Sequence, residues 1–228
     1  NRGLIRVTQG DAKTALKDFD AALDIDPKYI DAHNNRGYAL LQLKQFDEAV
    51  QALTRAIELD PTYVNAWNNR GLAHKEAGRF EEAVADFTKA IELQPTQTKY
   101  YLHRREAYER LNRSELAWQD YERAAWLEDL AVLNRRVSVQ PRDYRVWLDR
   151  AEHLLKGKRL EAALEDASRA IELTGPGTPE RTSGYVLSSR IQTALGQFEQ
   201  AVASATSGLE NRPDDQACAI RREAHSQL

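Results

Sequence analysis

The tripeptide Asn-Arg-Gly occurs at residues 1–3, 35–37 and 69–71, returning every 34 residues. Each copy opens the same sequence pattern, clearest in the third, where it reads Trp67, Gly71, Gly78, Phe80, Ala83, Phe87, Ala90 and Pro95. A period of this size excludes a chain built around one central core. Each repeat is too short to bury its own apolar face and must stack on its neighbours. Such arrays work by presenting one long surface to a partner.

Alignment on small residues extends the pattern to about six repeats, each a pair of helices. The small position of the first helix reads Gly3, Gly37, Gly71, Arg105, Ala151 and Ser189. The second helix opens at Ala15, Ala49, Ala83, Ala117, Ala163 and Ala201, and continues to Ala22, Ala56, Ala90, Ala124, Ala170 and Gly208. Two helices approach closely only where no large side chain intervenes. Phe19, Leu53, Phe87 and Tyr121 follow the opening Ala by four residues, share its face, and are expected to fill the space between helices. Trp118, Trp126 and Trp147 fall at anchor or filler positions. Pro27, Pro61, Pro95 and Pro213 stand where a second helix ends or the next helix begins.

These residues resemble the tetratricopeptide-repeat family over nearly the whole chain. Repeats two and three match closely, while the later ones depart from the pattern. Arg105 stands at a small position, Ala167 and Ala205 replace the aromatic, and Asp129 or Gly175 stands where Pro is expected. The resemblance implies an all-α, right-handed α-α superhelix of about six helix pairs, closed by a C-terminal capping helix.

Two irregularities set the expected organisation. The anchor interval is 34 residues from Trp67 to Tyr101 but 46 from Tyr101 to Trp147. The additional 12 residues fall around Leu130–Pro141 and are apolar enough to extend a helix by about three turns. Residues 174–180 are rich in Gly and Pro and predict an exposed loop. The expected blocks are residues 1–129 with four repeats, an insertion or bend at 130–143, two repeats at 144–213, and a capping helix at 214–228. Asn1 begins in mid-repeat and the chain has no Met, so it reads as a fragment or processed product.

Composition narrows the function. A net charge of −3 gives no electrostatic basis for nucleic-acid binding, and no apolar run predicts membrane insertion. Cys218 is the only cysteine, which excludes an internal disulfide and a multi-thiolate metal site. No phosphate loop, nucleophile triad or zinc-protease motif is present, so neither catalysis nor a cofactor is expected. His103 and Glu106 are one helical turn apart, but without a third ligand they make a poor metal site. Arg104, Arg105, Arg110 and Arg113, interleaved with Glu106, Glu109 and Glu115, suggest ion pairing within a helix or an acidic-client patch. His74 lies on the packing stripe as a hydrogen-bonded core residue. Nothing fixes the compartment, and the cytoplasm is the default expectation.

The candidate binding surface follows from helical spacing. Asp31, Asn35, Tyr38 and Gln42 make one stripe of a first helix; its equivalents are Asn65, Asn69, Leu72 and Glu76, then Lys99, His103, Glu106 and Arg110. These stripes are expected to line the concave face and hold a protein or extended peptide. Asn35 and Asn69 are central, Asn34 and Asn68 assist, and Tyr38 and Leu72 supply selectivity. An Asn amide carries a donor and an acceptor, so it can clasp the N–H and C=O of one peptide unit whatever its side chains. Peptide-binding members of the family, O-linked N-acetylglucosamine transferases among them, carry similar Asn ladders. The resemblance extends the role to Asn1 if its helix is intact in the parent chain. The alternative is that these Asn are solvated filler copied by duplication.

The family's carboxylate clamp is matched only at Asn69 and Lys99. Asn34, Tyr38 and His103 replace a Lys, an Asn and an Arg of that clamp, leaving too few fixed cations for a terminal carboxylate. Self-association into a homo-oligomer and service as the recognition arm of a larger enzyme are the rival readings. The repeat style resembles bacterial members of the family.

Overall fold

The computed structural model describes residues 2–211 and 215–227. The chain divides into two bodies, Asn1–Leu127 and Glu128–Leu228. The N-terminal body contains α1 (Arg2–Thr8), α2 (Ala12–Ile25), α3 (Ile30–Gln42), α4 (Phe46–Leu59), α5 (Val64–Glu76), α6 (Phe80–Leu93), α7 (Thr98–Arg110) and the first part of α8 (Ser114–Val139). The C-terminal body contains the rest of α8, then α9 (Tyr144–Lys156), α10 (Leu160–Leu173), α11 (Pro179–Ala194), α12 (Phe198–Asn211) and α13 (Asp215–His225). No strand occurs among the described residues. Each body is all-α, a succession of antiparallel helical hairpins, as the repeat pattern implies.

Each hairpin reverses through one residue of positive φ, at Gly10, Lys44, Gly78, Asn112, Lys158 and Gly196. The turns are closed by a pair of backbone bonds, such as Gln45 N–H to the Leu40 carbonyl at 2.9 Å and Lys44 N–H to Leu41 at 2.9 Å. This is the Schellman arrangement, which satisfies carbonyls left over at a helix end.

The small positions work by close approach. A Cβ on Gly71 would lie 2.6 Å from Phe87 Cε1, and one on Gly37 would strike Leu53. Phe87 and Leu53 are fully buried and Phe19 nearly so. In the fifth and sixth repeats the volume is redistributed. Ala151 faces the Ala163 and Ala167 layer within one core cluster. In the sixth repeat, Ser189 donates from Oγ to the Ala201 carbonyl at 2.6 Å, and Ser189 and Ala205 are both fully buried.

Tyr121 does not follow the expectation of a filler: it is 44% exposed. Arg105 occupies the position held by Gly in the preceding repeats, so the ring has no vacancy to enter and lies 5.8 Å from the guanidinium. Trp118 is neither anchor nor buried filler: it is 56% exposed and stacks at a tilt on Tyr121. Trp147 does anchor, donating from Nε1 to the Pro141 carbonyl at 3.0 Å. The same bond joins Trp67 to Pro61 at 2.9 Å and, through its hydroxyl, Tyr101 to Pro95 at 2.9 Å. Pro141 therefore supplies the repeat proline sought at Asp129, displaced by the inserted residues. The insertion is helical, since α8 has 26 residues against 14 in α6. The later loop is shorter than expected. Thr174 is buried, Gly175–Gly177 are exposed, and Pro179 already occupies the first turn of α11.

A second device holds the hairpins. Arg70, Arg104 and Arg150 each grip the Asp 16 residues later, Asp86, Asp120 and Asp166, through Nε and Nη2 at 2.6–2.9 Å. Their Nη1 atoms reach back 16 residues to Thr54, Thr88 and Asn134 at 3.0–3.1 Å. One guanidinium thus ties its own hairpin and the preceding second helix together. Planar, forked donors suit this bidentate geometry. Arg36 has Ala52 at the forward position and turns instead to Asp20 at 2.7 Å.

Candidate functional site

On the face presented by α3, α5 and α7 the candidate asparagines are joined across repeats. Asn34 donates from Nδ2 to Asn35 Oδ1 at 3.1 Å, and Asn69 donates to Asn34 Oδ1 at 2.9 Å. Asn68 donates to Asn69 Oδ1 at 3.4 Å, and His103 Nδ1 meets Asn68 Oδ1 at 2.9 Å. Five polar side chains thus form one directed chain over three first helices. Because Asn68 Oδ1 accepts, His103 carries its proton on Nδ1 and turns Nε2 toward other partners. Burial, followed by the nearby Lys75 ammonium, holds the His103 pKa below the usual histidine value.

The two asparagines of each pair have different places. Asn35 and Asn69 are half-buried, whereas Asn34 and Asn68 are only 5% and 7% exposed. Asn34 and Asn68, expected to help the neighbouring asparagines in peptide contact, are thus largely buried. One residue along a helix is a 100° rotation, which turns them beneath the face to brace their neighbours. Tyr38 and Leu72 are also partly committed: they are half-buried and pack on the clusters around Phe19 and Phe87, respectively. The remaining candidates lie at the face. Asn65, Glu76 and Lys99 are exposed, while Glu106 is half-buried and accepts from Lys75 Nζ at 2.6 Å. Asn1 lies outside the described residues.

Hydrogen-bond capacity decides what this chain can still do. An amide oxygen accepts two bonds and an NH2 group donates two. Asn69 uses one of each internally and retains one of each. Asn35 uses one acceptor position and, among the described residues, keeps both donors. Both amides are held in orientation by neighbours, which lowers the ordering cost of a further contact.

At the α3 end the face sinks into a cavity of about 600 Å³, lined in part by Tyr29, Asp31, Asn35, Tyr63 and Asn65. The Tyr63 hydroxyl donates to Asp31 Oδ1 at 2.5 Å. Burial, and then this contact with the Asp31 carboxylate, push the Tyr63 pKa up to about 12. A smaller hollow of about 340 Å³ lies between α5 and α7, beside Lys75, Glu76, Phe80 and Glu106.

The arginines in and just after α7 are partnered within the fold. Arg105 meets Glu109 at 3.2 Å within the helix, Arg113 reaches Glu81 at 3.6 Å, and Arg110 lies over the Phe80 ring at 4.7 Å. His74 accepts on Nδ1 from Arg79 Nε at 3.0 Å and sits 3.9 Å from Asp86. Among the described residues no three His, Cys, Asp or Glu side chains gather as a metal site. No helix among them is long and apolar enough to cross a membrane.

Comparison with known proteins agrees with the repeat fold. A family model for the TPR repeat matches residues 3–44 and 37–78, and one for the tetratricopeptide repeat matches residues 64–97. Protein STIP1 homolog of Dictyostelium discoideum is 32% identical over 83 residues, covering 36% of this chain and 14% of that protein. The chain thus spans about one seventh of the length of this curated relative. The structure of MamA from residue 41 to its end, from Desulfovibrio magneticus RS-1, matches with a TM-score of 0.53 and 26% identity, over 56% of this chain and 72% of that one. A further MamA crystal structure, 18% identical, shares the fold over 76% of this chain and 94% of its own, with a TM-score of 0.51.

Proposed function

From the tetratricopeptide-repeat family, to which this chain belongs, we propose that it holds an extended segment of a partner protein against the face of α3, α5 and α7. The repeats make it a protein-interaction scaffold, and the reading adds the place and mode of contact. The observation that carries it is the amide chain from Asn35 to His103, which fixes two half-buried Asn side chains yet leaves each with donor and acceptor capacity. A peptide unit presents one N–H and one C=O, so two fixed amides one repeat apart can follow a backbone without reading its side chains. The role is holding, with no catalytic step assigned.

The test is to immobilise the wild type and an Asn35→Ala/Asn69→Ala variant and identify retained proteins from a lysate by mass spectrometry. A partner kept by the wild type and lost by the folded variant supports the reading. Equal retention refutes it and redirects attention to other faces or to association between copies, which light scattering would register as a concentration-dependent mass.

A further inference from the structure

The groove is electrically graded along its length. At the α3 end, Asp31 is exposed, accepts the Tyr63 hydroxyl, and has no cationic partner among the described residues. The other charged pair at that cavity, Arg2 and Asp18, is satisfied internally, with Arg6 also on Asp18 at 2.6 Å. Tyr29, 45% exposed, and Tyr63 flank the carboxylate. A carboxylate between aromatic rings suits a cation, which gains from the charge and from the ring faces together. At the α7 end the sign reverses. Lys99 is exposed, has no carboxylate partner among the described residues, and rests 5.0 Å over the Tyr100 ring. Away from this line, on the later turns of α5 and α7, Lys75 and Glu106 neutralise one another.

We propose that the groove selects an extended peptide carrying a basic side chain, seated between Tyr29, Asp31 and Tyr63, and an acidic side chain that meets Lys99. This deepens the proposed function and rests on it. The spacing follows from the packing. From α3 to α7 are two helix-to-helix steps of about 8–10 Å each. The span is therefore about 16–20 Å, or roughly five to six residues of extended chain. The partner segment is thus a charge-paired peptide with its opposite charges about five or six positions apart.

A phage-displayed library of random dodecapeptides, selected on the full chain, tests this. Wild-type protein is expected to enrich peptides with Lys or Arg five or six positions from Asp or Glu. Asp31→Lys, with its helical content verified by circular dichroism, is expected to exchange the basic preference for an acidic one. Asp31→Asn should weaken a labelled wild-type-selected peptide by about three- to tenfold and leave unchanged its analogue with the basic residue replaced by Ala. Peptides that enrich without the charge pair, and are lost on Asn35→Ala/Asn69→Ala, would overturn this inference and leave the groove in place. Absence of any enrichment dependent on Asn35 and Asn69 would overturn both readings.

Discussion

Replacing Asp86 by Ala should cost far more than replacing Asp20, although each carboxylate is paired with an arginine of the same repeated position. Asp86 is 3% exposed and accepts two bonds from Arg70, at 2.9 and 2.7 Å. Removing it strands a guanidinium whose side chain is 18% exposed. Breaking a buried pair from one side typically costs about 3–5 kcal/mol. Arg70 would keep Thr54 at 3.1 Å and its position 4.9 Å from the Trp67 ring, which places the cost toward the lower end, about 3 kcal/mol. The Asp20 side chain is 54% exposed and makes its contact with Arg36 in solvent, where such pairs contribute less than about 1 kcal/mol. Urea unfolding followed by circular dichroism separates the two. With a slope of about 2–3 kcal/mol/M, Asp86→Ala should lower the midpoint by about 1 M, and Asp20→Ala by a few tenths. Equal shifts would refute the assignment of the Arg70 clamp as a principal tie between helices. Partial recovery in an Arg70→Met/Asp86→Leu variant would show that the stranded charge, rather than lost packing, is the cause.

Other consequences are read by the same kind of measurement. Gly71→Ala should destabilise by about 1–3 kcal/mol, since its methyl would sit 2.6 Å from the buried Phe87 ring. Adding Phe87→Leu should return part of the loss, and an unaltered midpoint for Gly71→Ala would contradict the close approach. Lys44, at φ 60°, should gain about 1 kcal/mol on replacement by Gly, seen as a rise in thermal midpoint. Burial lowers the pKa values of His103 and His74 in the folded chain. A depressed folded pKa means the unfolded chain binds the proton more readily, so this part of the stability is complete above about pH 6.5 and declines as pH falls below it. His103→Gln should flatten that decline in urea midpoints between pH 8 and 5, and an identical slope would refute the contribution.

Much of the fold is legible in the sequence because it depends on local periodicity. The 34-residue interval, the alanines of the second helices and the apolar length that extends α8 are each patterns along the chain. What the sequence conceals depends on pairs of positions. Tyr121 matches the filler pattern by itself, and its exposure follows only from Arg105 opposite it. The arginine clamp recurs at a 16-residue interval that crosses a hairpin, so helical spacing does not bring its partners to notice. At the candidate site, the Asn stripe is visible but its internal bonding is not. Asn34 and Asn35 are neighbours of the same type, and only the packed helices make the first a brace and leave the second with unused hydrogen-bonding capacity. Tyr38 and Leu72 likewise have the spacing of groove residues while lending part of their surface to the core.

If partners are held on the first-helix face of the N-terminal body, hydrogen–deuterium exchange of the chain with and without a captured partner will register it there. Added protection concentrated in α3, α5 and α7, and absent in the Asn35→Ala/Asn69→Ala variant, is the predicted result. Protection confined to the second helices α4 and α6, or to α9–α13, would contradict it.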